Sequence, residues 1–197
     1  MASFKQKTLR FLYPILRKMA KFGKNGTVLN NEQKATPKEP FYAQQVTLNN
    51  GKNLDFSTFS GKKILIVNTA SNCGYTGQYA ELQSLHEKLG DKLAIVAFPS
   101  NDFREQEKAD DKEIASFCQL NYGVTFPLAE KGVVLKTTEQ QQPVFQWLTN
   151  SEANGWCDHA PDWNFGKYVI DKKGMLTHYF GPSVSPLDKD FLEALEK

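Results

Sequence analysis

Two short runs, KKILIVN (residues 62–68) and LAIVAFP (93–99), are apolar at nearly every position of their centres rather than at alternate ones. A strand with one face in water alternates, so runs of this kind mark strands covered on both faces, and that demands a layer of structure on each side of a sheet. Between them Tyr79, Leu82, Leu85 and Leu89 recur at helical spacing until Gly90, the stripe of an amphipathic helix with a glycine stop. Strand, helix, strand in this order is a βαβ unit with parallel strands and a right-handed crossover.

The flanking patterns extend the unit. FYAQQVTL and KNLDFSTF enclose NNG, a hairpin whose Asn-Gly accepts positive φ. Helices are expected through DKEIASFCQLNY and QPVFQWLT, then a strand KYVID, a turn KKG, a strand MLTHYFG and a closing helix from Pro186. This order is that of an α/β, thioredoxin-like fold: a mixed central sheet flanked by helices, with an N-terminal β-hairpin. In open α/β sheets the reactive site lies past the carboxyl ends of the parallel strands. Cys73 stands there, just beyond KKILIVN.

The chain has 197 residues and a formal net charge of +2, enough for one core with an appendage. Residues 1–31 hold seven basic side chains and no acidic one, which leaves seventeen basic against twenty-two acidic residues, a net of −5, for the remainder. An acidic body excludes nucleic acid as a partner, because that affinity rests on neutralising phosphates. Three scattered cysteines without a CxxC pair, and three dispersed histidines, point away from a disulfide scaffold and from a metal site. No metal or other cofactor is expected.

In residues 7–24 Leu9, Leu12, Ile15, Leu16, Met19 and Phe22 share one face and the lysines and arginines fill the other, the pattern of an interfacial helix. Arg10 and Arg17 interrupt the apolar runs far short of the ~20 residues a membrane span needs, and no signal-cleavage pattern follows FLYPIL. Residues 1–24 read as a basic amphipathic tail, helical from Pro14 to Phe22 and ended by Gly23, that either touches a membrane surface or docks on its own domain. Residues 25–40, polar with two prolines, read as a linker, and 41–197 as the globular domain of a cytoplasmic protein.

A thiol attacks only as the thiolate, and a free cysteine with pKa about 8.5 is mostly protonated at neutrality. With a helix beginning near Tyr75 or Thr76, Cys73 sits at its N-terminus, where unpaired N–H groups and the macrodipole favour an anion. Gly74 and Tyr75 would bring backbone N–H groups to the sulfur or to a substrate oxygen. The bland alternative is an inert buried cysteine. Thr76 occupies the position where a dithiol oxidoreductase has its second cysteine, so exchange between neighbouring thiols is excluded and any second thiol comes from farther along.

The segments NTASNCGYTGQY, AFPSNDFREQE and DWNFGKYVID resemble, in order and spacing, the three signature regions of the glutathione peroxidase family. The resemblance runs from about Phe41 to the end of the chain. It implies a thiol peroxidase in which Cys73 is the peroxidatic residue and Gln106, Trp163 and Asn164 complete a catalytic tetrad. Amide and indole groups can donate to a thiolate and to peroxide oxygens without adding a competing negative charge. The resemblance further implies that Cys118 resolves the sulfenic acid of Cys73 into a disulfide, with thioredoxin favoured over glutathione as reductant and hydrogen peroxide or organic and lipid hydroperoxides as substrate. Bottom-up, Cys118 is equally a small core hydrophobe among Ile114, Phe117 and Leu120. Cys157 is a reserve resolving thiol, and the alternative function is a redox relay passing its oxidation to a partner protein. Ser100, Asp102 and Lys108 depart from the family's usual residues, which puts the shape of the Gln106 loop in question. There is no long insertion of the kind associated with tetramers, so a monomer is expected.

Overall fold

The computed structural model describes residues 26–136 and 140–196, together with Thr8, Leu12 and Tyr13. In chain order the described elements are β1 (Val28–Asn30), β2 (Gln45–Thr47), β3 (Asn53–Asp55), β4 (Lys63–Thr69), α1 (Gln78–Leu89), β5 (Leu93–Pro99), α2 (Asp111–Tyr122), α3 (Pro143–Leu148), α4 (Ser151–Asn154), β6 (Lys167–Ile170), β7 (Leu176–Phe180) and α5 (Lys189–Glu196). Five strands form a mixed sheet in the order β1-β7-β6-β4-β5, with only β4 and β5 parallel. β2 and β3 form a separate hairpin, and Gly51 supplies the positive φ of its turn. The α/β, thioredoxin-like expectation holds.

Every residue of β4 and β5 is buried, and the two-residue period of a strand sorts them into two cores. Leu65, Val67 and Ile95 face α1, α2 and α5, where they meet Tyr79, Leu82, Ile114 and Phe191. Ile64, Ile66, Val96 and Phe98 face the other way, onto α3 and the turn aromatics Phe41 and Phe56. Edge-to-face ring pairs fix that second core, with centroids 4.7 Å apart for Phe41 and Phe56 and 5.3 Å for Phe98 and Phe145.

Two expectations about boundaries need correction, and a third lies beyond the described residues. The stretch read as a linker contains β1, which pairs with β7 through Val28–Phe180, Leu29–Tyr179 and Asn30–His178; three residues are too few to show a period, and the partner lies about 150 residues away. The closing helix starts at Lys189 rather than Pro186, because residues 181–188 turn first, with Val184 N–H bonded to Gly181 O and Asp188 N–H to Ser185 O. The tail helix falls outside the described residues, except that Tyr13 is buried, its ring lies against Gly77, and its hydroxyl donates to Glu81 at 3.0 Å.

The two-faced burial sets a stability contrast. Phe98→Ala, in the second core, should cost about 3–5 kcal/mol, while Leu120→Ala, 75% exposed on α2, should change stability by less than about 0.5 kcal/mol. Urea denaturation of the two variants checks both.

Candidate active site

The chain leaves β4 at Thr69 and winds through successive tight turns before α1 begins. Thr76 N–H bonds Cys73 O at 3.2 Å, Gln78 N–H bonds Tyr75 O at 2.9 Å and Tyr79 N–H bonds Thr76 O at 3.2 Å. The Thr76 hydroxyl accepts Cys73 N–H at 3.0 Å and lies within hydrogen-bond reach of the carbonyls of Cys73 and Ala70. In the position of a second cysteine this chain thus has the cap of the turn. The helix starts later than the sequence suggested. The amide that meets the sulfur belongs to the turn: Tyr75 N–H donates to Cys73 Sγ at 3.4 Å.

Trp163 and Asn164 also turn donors toward that sulfur, as does the N–H of Gly74. Gln106 joins at one remove, its Oε1 accepting from Asn164 Nδ2 at 3.0 Å. The structure therefore assembles Cys73, Gly74, Tyr75, Gln106, Trp163 and Asn164 from three distant segments. Burial works against the thiolate that the turn and its donors were expected to favour. Cys73 has no exposed surface, and burial lifts its pKa to about 11 against the pull of Tyr75, Trp163, Asn164 and Gly74. In the closed fold the donors compensate only part of the lost solvation.

Several residues that the motifs did not reveal hold the constellation in place. Asn68, buried at the end of β4, binds the 163–166 turn four times: its N–H donates to Gly166 O, its carbonyl accepts from Phe165 N–H, Nδ2 donates to Trp163 O, and Oδ1 accepts from Gly166 N–H. Phe165 sits at φ +71°, a left-handed conformation that costs a bulky residue ~1–2 kcal/mol. A Cβ at Gly166 would stand 3.1 Å from both Asn68 Oδ1 and Tyr179 Oη, so any larger residue would push these neighbours back by a few tenths of an ångström. The Trp163 ring lies between Phe103, at 5.5 Å between centroids, and the Arg104 guanidinium, 5.4 Å from the ring centre.

The family-divergent positions shape the Gln106 loop in visible ways. Asp102 Oδ2 accepts from the amides of Val134 and Leu135 at 2.8 and 3.0 Å, and the buried Ser100 hydroxyl accepts from Asp102 N–H at 3.3 Å. Lys108 makes an exposed ion pair with Glu105 at 2.7 Å, which contributes little stability. Gln106 O accepts Asn72 N–H at 3.1 Å, and the buried Glu107 carboxylate accepts both the amide and hydroxyl of Ser71 at 2.8 Å. These bonds tie the loop to the Cys73 turn. Burial raises the Glu107 pKa to about 7, with the two Ser71 bonds pulling it down.

Cys118 lies in the same core as Cys73, fully buried, and burial lifts its pKa to about 12. Cys157 lies in the other core, across the sheet, so its sequence nearness to Trp163 does not bring it to the Cys73 side. All three cysteines are free. Among the described residues no group of three or more His, Cys, Asp or Glu side chains could hold a metal, and no helix is long and apolar enough to cross a membrane.

A thioredoxin-like sheet with a lone cysteine at the carboxyl end of its central parallel strand, met by amide and indole donors, defines a class of oxidoreductase. The glutathione peroxidase family model matches residues 41–149. A glutathione peroxidase homolog of Halalkalibacterium halodurans is 44% identical over 148 residues, covering 74% of this chain and 92% of that protein. The glutathione peroxidase-like peroxiredoxin of Saccharomyces cerevisiae is 40% identical, covering 74% of this chain and 89% of its own length. The crystal structure of T. cruzi GPX1 aligns with a TM-score of 0.60 at 28% identity, covering 80% of this chain and 97% of that one. A DsbF homologue from Corynebacterium diphtheriae shares the fold at TM-score 0.60 and 17% identity, covering 90% of this chain and 95% of its own. The chain belongs to the glutathione peroxidase family and is a peroxidase.

The buried Glu107 makes a pH signature. Its folded pKa of about 7 lies above the ordinary 4.5, so the folded state binds more protons between those values, and stability is lost as pH rises through them. Glu107→Gln removes that loss, and urea unfolding at pH 5 and pH 8 should show it more stable relative to the native protein at the higher pH, by about 3 kcal/mol at most. Parallel pH dependences for the two proteins would mean the carboxyl titrates as if exposed.

Proposed function

We propose that the protein reduces hydrogen peroxide and organic or lipid hydroperoxides with Cys73 as the attacking sulfur. The observation that carries this reading is the convergence of the Tyr75 amide and the Trp163 and Asn164 side chains on one buried Sγ. Sulfur attacks the O–O bond, the thiol proton leaves on the departing oxygen as water or alcohol, and Cys73 becomes a sulfenic acid. The neutral donors take up the negative charge that develops on sulfur and oxygen, and being already oriented they cost no reorganisation. Asn164 Oδ1 is buried without a partner; it is an acceptor suited to a hydroperoxide O–H.

Resolution is assigned to Cys118, whose thiol condenses with the sulfenic acid, releasing water and forming a disulfide. Its Cα must come within about 7 Å of that of Cys73, and α2 suits that movement, since only Ile114 and Cys118 of its twelve residues are buried. A protein disulfide is the substrate of a dithiol, so thioredoxin is preferred to glutathione as reductant. The enzyme is read as a cytoplasmic monomer whose basic tail makes peripheral contact with a membrane, which would favour lipid hydroperoxides.

Steady-state turnover with hydrogen peroxide or a phospholipid hydroperoxide, each with thioredoxin or glutathione, tests substrate and reductant together. Cys73→Ser should abolish turnover, and Trp163→Phe should lower kcat about 100-fold, the usual loss for one preorganised donor. Cys118→Ser should consume one equivalent of peroxide and then stall with thioredoxin. Full thioredoxin-linked turnover by Cys118→Ser would make that residue structural. Flotation of the full-length and tail-deleted proteins with anionic liposomes tests the tail; equal flotation removes the membrane role.

A further inference from the structure

Lys167, on β6 opposite Val67 of β4, has no exposed surface. Its ammonium donates to Phe165 O at 2.6 Å and Gln78 Oε1 at 2.8 Å, both neutral acceptors. None of the ion pairs among the described residues includes it. A cation taken out of water without a bound carboxylate is costly. The charged and titratable groups that face it are Glu81 from α1, Asp188 from the segment before α5, and Cys73 from the β4–α1 turn. Glu81 is already engaged by the hydroxyls of Tyr13 and Ser185, at 3.0 and 2.7 Å. Of the three, Cys73 alone is fully buried in the core with Lys167.

We propose that Lys167 is a positioning residue of the peroxidase reaction: it clamps the Phe165 carbonyl, so fixing the left-handed turn that aims Trp163 and Asn164, and its ammonium is the buried counter-cation of the Cys73 thiolate. The inference rests on Cys73 being the attacking sulfur. Both halves come from one grip. Phe165 is held at its N–H by Asn68 O and at its carbonyl by Lys167 Nζ, each at 2.6 Å, and Trp163 and Asn164 immediately precede it. Burial disfavours both charged forms, drawing the Lys167 pKa down to about 7 and pushing that of Cys73 up to about 11; Glu81, Asp188 and the Cys73 thiolate are the anions that raise the Lys167 value, and a charged pair would offset part of the solvation each group loses. When the thiolate attacks the O–O bond its charge passes to the departing oxygen, which takes a proton and leaves as water or alcohol, and the cation loses its partner as the sulfenic acid forms.

The test uses full-length protein carrying Cys118→Ser and Cys157→Ser, so that Cys73 is the only thiol. The pH midpoint of Cys73 alkylation by iodoacetamide, read by mass spectrometry, should rise by about one unit or more in Lys167→Met and in Lys167→Gln, with reaction toward hydrogen peroxide at pH 7 slowed about tenfold. Lys167→Arg, which keeps the charge, should restore the midpoint. Unmoved midpoints in folded variants would overturn the proposal. Should the variants not fold, the reciprocal measurement is made with Lys167 intact: by linkage, Cys73→Ser should lower the Lys167 midpoint followed by the NMR signal of its Cε, and an unchanged midpoint would overturn the proposal equally. Turnover persisting in Cys73→Ser would instead remove the function assigned to Cys73 while leaving the mutual shift of the two groups intact.

Discussion

Four hydrogen bonds from Asn68 to the 163–166 turn are the interaction on which the site depends. Asn68 closes the parallel run of β4, and its partners lie nearly a hundred residues later, at the entrance to β6. Buried amides left without partners cost about 1–3 kcal/mol each, so the end of β4 and the 163–166 turn can be buried only together. Their union fixes the distance between the Cys73 turn and the Trp163–Asn164 pair. The candidate site is therefore less a local sequence than a junction between the two antiparallel-paired strands β4 and β6, stitched where both meet the rim of the sheet.

That junction is closed, and closure opposes the chemistry it hosts. Burial protects the sulfur from adventitious reactions, but it also disfavours the thiolate, as the raised pKa of Cys73 records. A carboxylate near the sulfur would worsen this, and the groups donating to the sulfur are amide and indole N–H groups. The one buried acid among the described residues, Glu107, spends its lone pairs on Ser71 and has its own ionisation delayed by burial. The constellation thus favours negative charge at one point while withholding it from the surroundings, the condition under which oriented dipoles are most effective.

Much of the fold was legible because its signals are local. The apolar runs ending at Asn68 and Pro99 become β4 and β5, the hairpin follows from Asn-Gly, and DKEIASFCQLNY coincides with α2, which a capping box from Asp110 and Glu113 opens and left-handed Gly123 closes. The site was legible only as motifs. Asn68 read as the end of a strand, Lys167 as the start of another and Glu107 only as a letter of a motif, because what makes each one matter is a partner 36 to 98 residues away or a loss of water that no spacing encodes. β1 escaped for the same reason: its identity as a strand comes from β7. The raised pKa of Cys73 in the closed fold comes from a quantity the sequence does not display, the desolvation of the sulfur.

The resolving role proposed for Cys118 requires burial and mobility to coexist there. Its sulfur is sealed in the same core as Cys73, yet α2 fully buries only Ile114 and Cys118, with Phe117 and Tyr122 packed partly against the core, presents Leu120 to solvent, and borders a cavity of about 510 Å³ between its Phe117 and the Ser71–Asn72 turn. A helix with so few fully buried side chains opens at lower cost than the strands beneath it, which are buried on both faces. Withdrawing Cys118 removes one of its two fully buried side chains, so oxidation that captured this sulfur would also loosen the helix that carried it. The same sparse packing would then expose the disulfide to an external dithiol, while β4 and the Asn68 junction keep Cys73 in place.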